Sequence, residues 1–293
     1  MLLNTNEQRM PVDFPPIEDL ELRARKVRAT CFKLAADGGE GHVSSALSCA
    51  DILVALYAGW LRVSPETYQD PMRDRFLISK GHGVTALYAT LAERGYFDPE
   101  EMASYAQPNS MFPNHACRLM TPWVEISTGS LGIGLGMGTG MAYSIKMRGL
   151  DRRVVVLMSD GECNEGSVWE SAAFACAQKQ DQLVAIVDNN NSQAVGRTSD
   201  LLGPETTLES KFREFGWSSR AVNGHDFKEL TDALNDLPFE EGKPSVIVAK
   251  TIGGKGTSFS EGQMFWHYRV PSPEDLENAF RELDAQPLYG CSP

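Results

Sequence analysis

The chain has 293 residues, 42% of them hydrophobic and 23% charged, which is the make-up of a folded globular protein and excludes disorder over most of its length. Twenty-seven Lys plus Arg against 39 Asp plus Glu give a net charge of −12. That charge disfavours nucleic acid as a partner, since phosphate backbones would be repelled, but leaves room for a local pocket that takes a small anion. No apolar run approaches the ~18–20 residues that span a bilayer, so no membrane segment is expected. Residues 1–15 lack the apolar stretch of a secretory signal. The six cysteines form no CxxC pair, and read as buried thiols of a cytoplasmic protein.

Residues 1–16 are polar and proline-containing and read as an arm; residues 17–293 read as one domain. Leu20, Leu22, Val27, Cys31 and Leu34 space an amphipathic helix over 17–36. A glycine-rich break follows at 37–41, then a helix over 48–60, a short strand over 75–79 and a helix over 84–94. Four later apolar runs, Val154–Met158, Leu183–Val187, Trp217–Val222 and Ser245–Thr251, are continuous rather than alternating, as buried parallel strands are. Helices are expected between them near 167–179, 205–215 and 226–236. A last helix should start near residue 272, with Ser272 as N-cap and Pro273 at the first helical position. Alternating strands and helices predict an α/β fold, a parallel sheet with helices on both faces. Ligands of such sheets bind at the carboxyl ends of the strands, which groups His82, Asp160, Asn190 and Gly253.

Glycines recur at every second position from Gly132 to Gly140. That spacing fails both GxGxxG and the Walker sequence. The stretch reads instead as a tight turn at Gly129 opening a helix, with Gly132, Gly136 and Gly140 on one closely packed face.

Asp160 follows one predicted strand and Asn190 follows the next. A carboxylate and an amide oxygen at neighbouring strand ends suit a hard cation such as magnesium, which takes about six oxygens and keeps waters or substrate phosphates among them. The alternative, a capped helix start and a turn, stays open on these residues alone.

Asp160-Gly-Glu-Cys-Asn-Glu-Gly, running on to Asp188-Asn-Asn-Asn191, resembles the thiamine diphosphate motif. More narrowly, the chain resembles the N-terminal half of transketolases. The pieces are colinear: Glu40-Gly41-His42, Ser79-Lys-Gly-His82-Gly83, Asn114-His115, Val124 to Gly132, the metal motif, Asn223-Gly-His-Asp226, Lys250 to Gly256, and Trp266-His267. Each is weak alone, and order and spacing make the match.

The resemblance implies a thiamine diphosphate fold of the diphosphate-binding type. It implies thiamine diphosphate and a divalent metal (Mg2+, with Ca2+ or Mn2+ as substitutes) held by Asp160, Asn190 and the Ser192 carbonyl. His82, Gly129, Ser130, Leu131, Gly161, Glu162, Asn190 and His267 match cofactor-binding positions. His42, His82, His115 and His267 match active-site histidines, suited to moving hydroxyl protons near neutral pH. His42 and His267 match groups at the donor's C3 hydroxyl, and His115 one at its C1 hydroxyl. Glu165 and Glu170 match acidic residues at a subunit interface and a proton relay. His225 is expected only to fix a turn.

The family's activating glutamate lies in a second, pyrimidine-binding domain that this sequence lacks. The resemblance therefore implies the N-terminal subunit of a split transketolase, whose partner in an α2β2 heterotetramer is a C-terminal transketolase subunit. Its expected activity is transfer of a two-carbon ketol unit from a sugar donor to an aldose. Ser159, Asn114-His115-Ala116, Ile133 and Tyr268 depart from the commonest pattern. Those beside His115 and His267 border the sugar site, so a branched or sulfonated ketose fits as well as a pentose phosphate. Two other readings remain at this point: the α subunit of a 2-oxo-acid dehydrogenase, and a non-catalytic regulatory subunit of the same fold.

Overall fold

The computed structural model describes residues 9–202 and 207–290. In chain order its main elements are α1 (Ile17–Gly38), α2 (Val43–Ser48), α3 (Ala50–Ala55), β1 (Arg75–Ile78), α4 (Val84–Glu93), α5 (Ile133–Met147), β2 (Val154–Ser159), α6 (Gly166–Ala177), β3 (Leu183–Asn189), α7 (Thr198–Leu202), α8 (Leu208–Glu214), β4 (Ser218–Asn223), α9 (Phe227–Asn235), β5 (Ser245–Lys250) and α10 (Pro273–Leu283). The five strands form one sheet in the order β1-β2-β3-β5-β4, and every pairing is parallel.

Two cores explain the continuous apolar runs. Side chains of successive strand residues point to opposite faces. Val155, Leu157, Val184, Ile186 and Ile247 pack beneath α1, α3, α4, α9 and α10. Val154, Val156, Met158, Leu183, Ala185 and Val246 pack against α5, α6 and α8. Both faces are covered, so neither register position can be polar. The edge strand β4 departs from this expectation: its Arg220 is half-buried and Ala221 exposed, with only one neighbour to pair with.

The helix expected over 48–60 starts at Val43 and is broken. Cys49, at φ −95° and ψ 4°, separates α2 from α3, and the chain ends in a wide turn over Leu56–Trp60 that contains Gly59 at φ +124°. The region expected as a helix over 205–215 is helical from Leu208; residues 203–206 lie outside the described part. α10 begins as its sequence predicts, with Ser272 and Asp275 bonded reciprocally to each other's backbone and Pro273 at the first helical position. Residues 9–16 form neither helix nor strand but are tied down. Arg9 pairs with Asp74 at 2.8 Å, and the Asn235 side chain exchanges two hydrogen bonds with the Val12 backbone. Cys291 lies outside the described residues; the other five cysteines carry no disulfide.

The glycine helix is present; its expected face is close-packed at Gly132 and Gly136, and a second glycine face is packed on the sheet. Gly134 and Gly138 are buried against the sheet. A Cβ on Gly138 would lie 2.5 Å from Val156, and one on Gly134 would collide with Ser79. Gly132, at φ +82°, and Gly136 instead face Glu165, Ser167 and Ser171 at the start of α6, while Gly140 meets nothing within 4 Å. The sheet meets the face offset by two residues from the one that meets α6.

Candidate active site

The carboxyl ends of β1, β2, β3 and β5 deliver Lys80, Asp160, Asn190 and Thr251 to one edge of the sheet. Two loops from elsewhere complete it. The turn after α1 places His42 at φ +67°, a left-handed conformation that is rare outside glycine and marks a constrained position. Its amide donates to the His267 carbonyl at 2.8 Å. Gly41 lies so close to the Tyr268 backbone that a Cβ would approach to 2.8 Å. These contacts lock the loop around residue 267 onto the start of α2.

Four of the five histidines meet there. Ring centroids separate His42 from His82 by 5.5 Å, from His115 by 5.8 Å and from His267 by 5.3 Å, and His82 from His267 by 6.0 Å. Tyr268 stands edge-on to His42 and His267, at 5.3 and 4.7 Å. Burial, the largest cause in each, holds these imidazoles below the usual histidine range. Burial and His115 lower His42. Burial, the Lys80 ammonium and the other imidazoles push His82 down further. Burial lowers His115, against an opposing effect of Glu40. Burial, His42 and Lys80 push His267 down to about 4. Burial thus favours the neutral form of all four, in which one ring nitrogen of each can accept a proton.

Beside them lies the strand-end carboxylate. Asp160 is fully buried. Its Oδ1 accepts from the Gly161 amide at 3.0 Å, while Oδ2 is buried with no hydrogen-bond partner. Burial, joined by the Asp188 carboxylate, pushes its carboxyl up to about 6, with Thr198 offsetting part of the rise. A buried carboxylate oxygen without a donor is costly unless a cation or water meets it. Asn190 Oδ1 accepts from the Ser192 amide at 3.0 Å and keeps a second lone pair. Among the described residues no three His, Cys, Asp or Glu cluster as a metal cage. The donor set fits an oxygen-seeking cation that takes one carboxylate, an amide and a backbone carbonyl and draws its other ligands from a diphosphate and water.

Beneath this edge lies a buried ionic network that the motifs do not reveal. Lys80 and Asp188 are both inaccessible to solvent and pair directly. Burial alone would lower the ammonium, but Asp188 outweighs it and the Lys80 pKa is raised. Lys80 also donates to the Ser45 carbonyl at 2.9 Å. Asp188 accepts from Ser48 Oγ at 2.6 Å and from Thr251 Oγ1, and Ser48 Oγ receives Asn190 Nδ2 at 3.1 Å. One carboxylate thus ties together β1, α2, β3 and the segment after β5. Its signal in the sequence is a lysine and an aspartate, each at the end of an apolar strand run.

Glu162, expected at a cofactor-binding position, sits beneath the Gly132 turn. It is fully buried, and its carboxylate accepts from the Gly132 amide at 2.8 Å, from Ser79 Oγ and from the Ser159 amide at 3.3 Å. It holds the Gly132 turn in place. Gly129 lies against His115, 3.6 Å from that ring at its would-be Cβ, so the turn of Gly129, Ser130 and Leu131 borders the histidine pocket. Gly161 has no room for a side chain, since a Cβ would lie 2.9 Å from Gln193. Ser192 joins Asn190 and Gly253 around a cavity of about 40 Å³. Glu165 and Glu170 are exposed near the start of α6. His225 fixes a turn and does more: Nδ1 meets Asp51 at 2.6 Å, and Nε2 accepts from the Ile252 amide at 2.8 Å. It supports the loop after β5 from below.

Residues 21–279 match the protein family described as the transketolase, thiamine diphosphate binding domain. A 6-deoxy-6-sulfo-D-fructose transketolase subunit of Clostridium sp. (strain MSTE9) is 37% identical over 92% of this chain and 97% of its own length. An apulose-4-phosphate transketolase subunit of Phocaeicola vulgatus is 36% identical over 91% and 94%. Human transketolase is 33% identical over 94% of this chain but only 43% of its own length. Among solved structures, transketolase from Campylobacter jejuni superposes with a TM-score of 0.86 at 28% identity, over 93% of this chain and 44% of that one. This chain belongs to the transketolase thiamine diphosphate binding domain family.

Proposed function

We propose that this chain is the diphosphate-binding subunit of a two-subunit transketolase, working in a reducing cytoplasm, in which residues 17–293 act as one domain and the pyrimidine half of the cofactor site comes from a C-terminal partner chain. The observation that carries this reading is the four-imidazole pocket beside the unpartnered Asp160 Oδ2. Relatives named as subunits match it over nearly their whole length, which supports a separate partner; the assembly would be an α2β2 heterotetramer. Among the described residues no helix is long and apolar enough to cross a membrane.

When bound, thiamine diphosphate supplies the carbanion that accepts a two-carbon ketol unit from one sugar and delivers it to another. Asp160, Asn190 and the Ser192 carbonyl would hold magnesium, or calcium or manganese in its place, against the diphosphate. Gly161 and Gly253 leave the backbone open to the phosphates; side chains there would collide with Gln193 and Ser44. The turn Gly129-Ser130-Leu131 would lie against the thiazolium side. His42 and His267, neutral and buried, would take the proton from the donor hydroxyl next to the bond that breaks and return it to the acceptor. His115 would hold the C1 hydroxyl and His82 the cofactor end of the pocket. Glu165 and Glu170 would meet the partner chain at the exposed rim.

Tyr268 narrows the sugar side of the pocket. Its ring, more than half exposed, stands at the mouth between His42 and His267, where the donor chain beyond the broken bond leaves. We read this as a preference for a specialised ketose, a branched or sulfonated sugar like those in the names of the two relatives. The test is coexpression with the partner chain and a donor screen by aldehyde release. Ketol transfer that needs both chains and disappears in Asp160→Ala is expected. Full turnover by this chain alone, or by the Asp160→Ala complex, would overturn the reading.

A further inference from the structure

A second cavity lies at the opposite end of the sheet. It has a volume of about 210 Å³ and is lined by Arg9, Gly59, Trp60, Arg62, Arg153 and Asn235. Arg153 directly precedes β2 and Asp160 directly follows it, so the two sites are roughly 20 Å apart at about 3.3 Å per residue.

Three guanidiniums surround this cavity in a chain whose net charge is strongly negative. Two of them are satisfied. Arg9 forks onto Asp74 at 2.8 and 2.9 Å and reaches Asp151 at 3.3 Å. Arg62 pairs with Asp151 at 3.1 Å. Arg153 differs. Among the described residues its guanidinium has no carboxylate partner and gives one hydrogen bond, from Nη2 to the Leu237 carbonyl at 3.3 Å. It lies 4.4 Å over the Trp60 ring, which fixes its plane and leaves Nε and Nη1 without a partner among those residues. Burial, Arg9 and Arg62 bring its pKa down to about 10, against the opposing effect of the Asp74 and Asp151 carboxylates. Gly59 keeps the cavity open: at φ +124° it favours glycine, and the nearest atom to a Cβ there is 3.9 Å away.

We propose that this cavity binds a small tetrahedral oxyanion, a phosphate group, received by the Arg153 guanidinium, which has no carboxylate partner among the described residues, and flanked by Arg9 and Arg62. A planar guanidinium with two parallel N–H groups is the side chain best suited to such a group. The site is independent of the sugar chemistry proposed above and needs no partner chain.

The test is calorimetric titration of the full chain with inorganic phosphate in EDTA, against acetate at matched ionic strength. Saturable phosphate binding, absent for acetate, is expected. Arg153→Gln should weaken it about tenfold, the loss of roughly one charge-assisted fork. Arg62→Gln should weaken it less, and Asp160→Asn should leave it unchanged. Without phosphate, Arg153→Gln and wild type should unfold at similar temperatures; with phosphate, only wild type should gain. Tighter binding of glycerol 3-phosphate than of phosphate identifies an ester as the ligand, and weaker binding the free ion. Absence of saturable phosphate binding, or equal binding by wild type and Arg153→Gln, overturns the proposal. Should Arg153→Gln fail to fold, undiminished binding by Arg62→Gln and Arg153→Lys together does the same.

Discussion

Lys80 and Asp188 are each other's counter-charge in a place water does not reach. Removing one partner leaves a buried, uncompensated ion. Asp188→Asn is therefore expected to lose about 3–5 kcal/mol in urea denaturation, and Lys80→Met combined with it should lose less than the two singles summed. The histidines give a pH signature. His267 titrates near 4 when folded and near 6.5 when unfolded. The unfolded chain therefore binds more protons between those values, so stability should fall as pH drops from about 6.5 to about 4 and the contribution should level off below. Denaturation at pH 7 and 5, with and without His267→Gln, measures it; an unchanged pH slope in the variant would count against the buried imidazole. Tyr268→Gly, in the assembled complex, should change the kcat/KM ratio between a branched or sulfonated donor and a linear pentose phosphate by about tenfold, the scale on which small pocket changes discriminate, while Tyr268→Phe should change it little. The histidines and Asp160 are legible in the sequence because motif order places them. The Lys80–Asp188 pair is not, because a long-range ion pair leaves no local spacing to read. The inward bonds of the Glu162 carboxylate to Ser79 and Gly132 are likewise long-range contacts that the motif does not spell out.

The strands β2, β3 and β5 are readable as apolar runs because both faces of each are covered. β4 obeys that rule poorly because it is an edge, and the α2–α3 break at Cys49 sits beside the Ser48–Asp188 bond, a long-range contact that no propensity encodes. In the glycine helix, periodicity gives the small residues but not which of the two alternating sets meets the sheet. The distinction is measurable. Gly134→Ala forces a Cβ into Ser79 and should lower stability by about 1–3 kcal/mol. Gly140→Ala has free space and should raise it by about 0.5–1 kcal/mol in the same thermal denaturation series.

At the scale of the molecule, α5 and α6 leave an apolar strip uncovered. Ile133, Met137, Tyr143, Met147 and Phe174 are all exposed, and Tyr143 meets Phe174 edge-on at 5.7 Å. Such a contiguous patch marks an interface, and it flanks the turn that borders the histidine pocket. Met137→Glu should leave the melting temperature of the isolated chain unchanged and weaken its association with the partner chain more than tenfold in sedimentation or interferometry; intact association would remove this face from the interface. The ionic network around Asp188 has a consequence for how the assembled site fills. Its hydrogen bonds close within this chain alone, so the strand-end edge around Asn190 is held in place without any ligand. Loading the cofactor should then be nearly rigid-body, with amide exchange at the ends of β1 and β3 already slow beforehand and the ordering entropy confined to the other chain's loops.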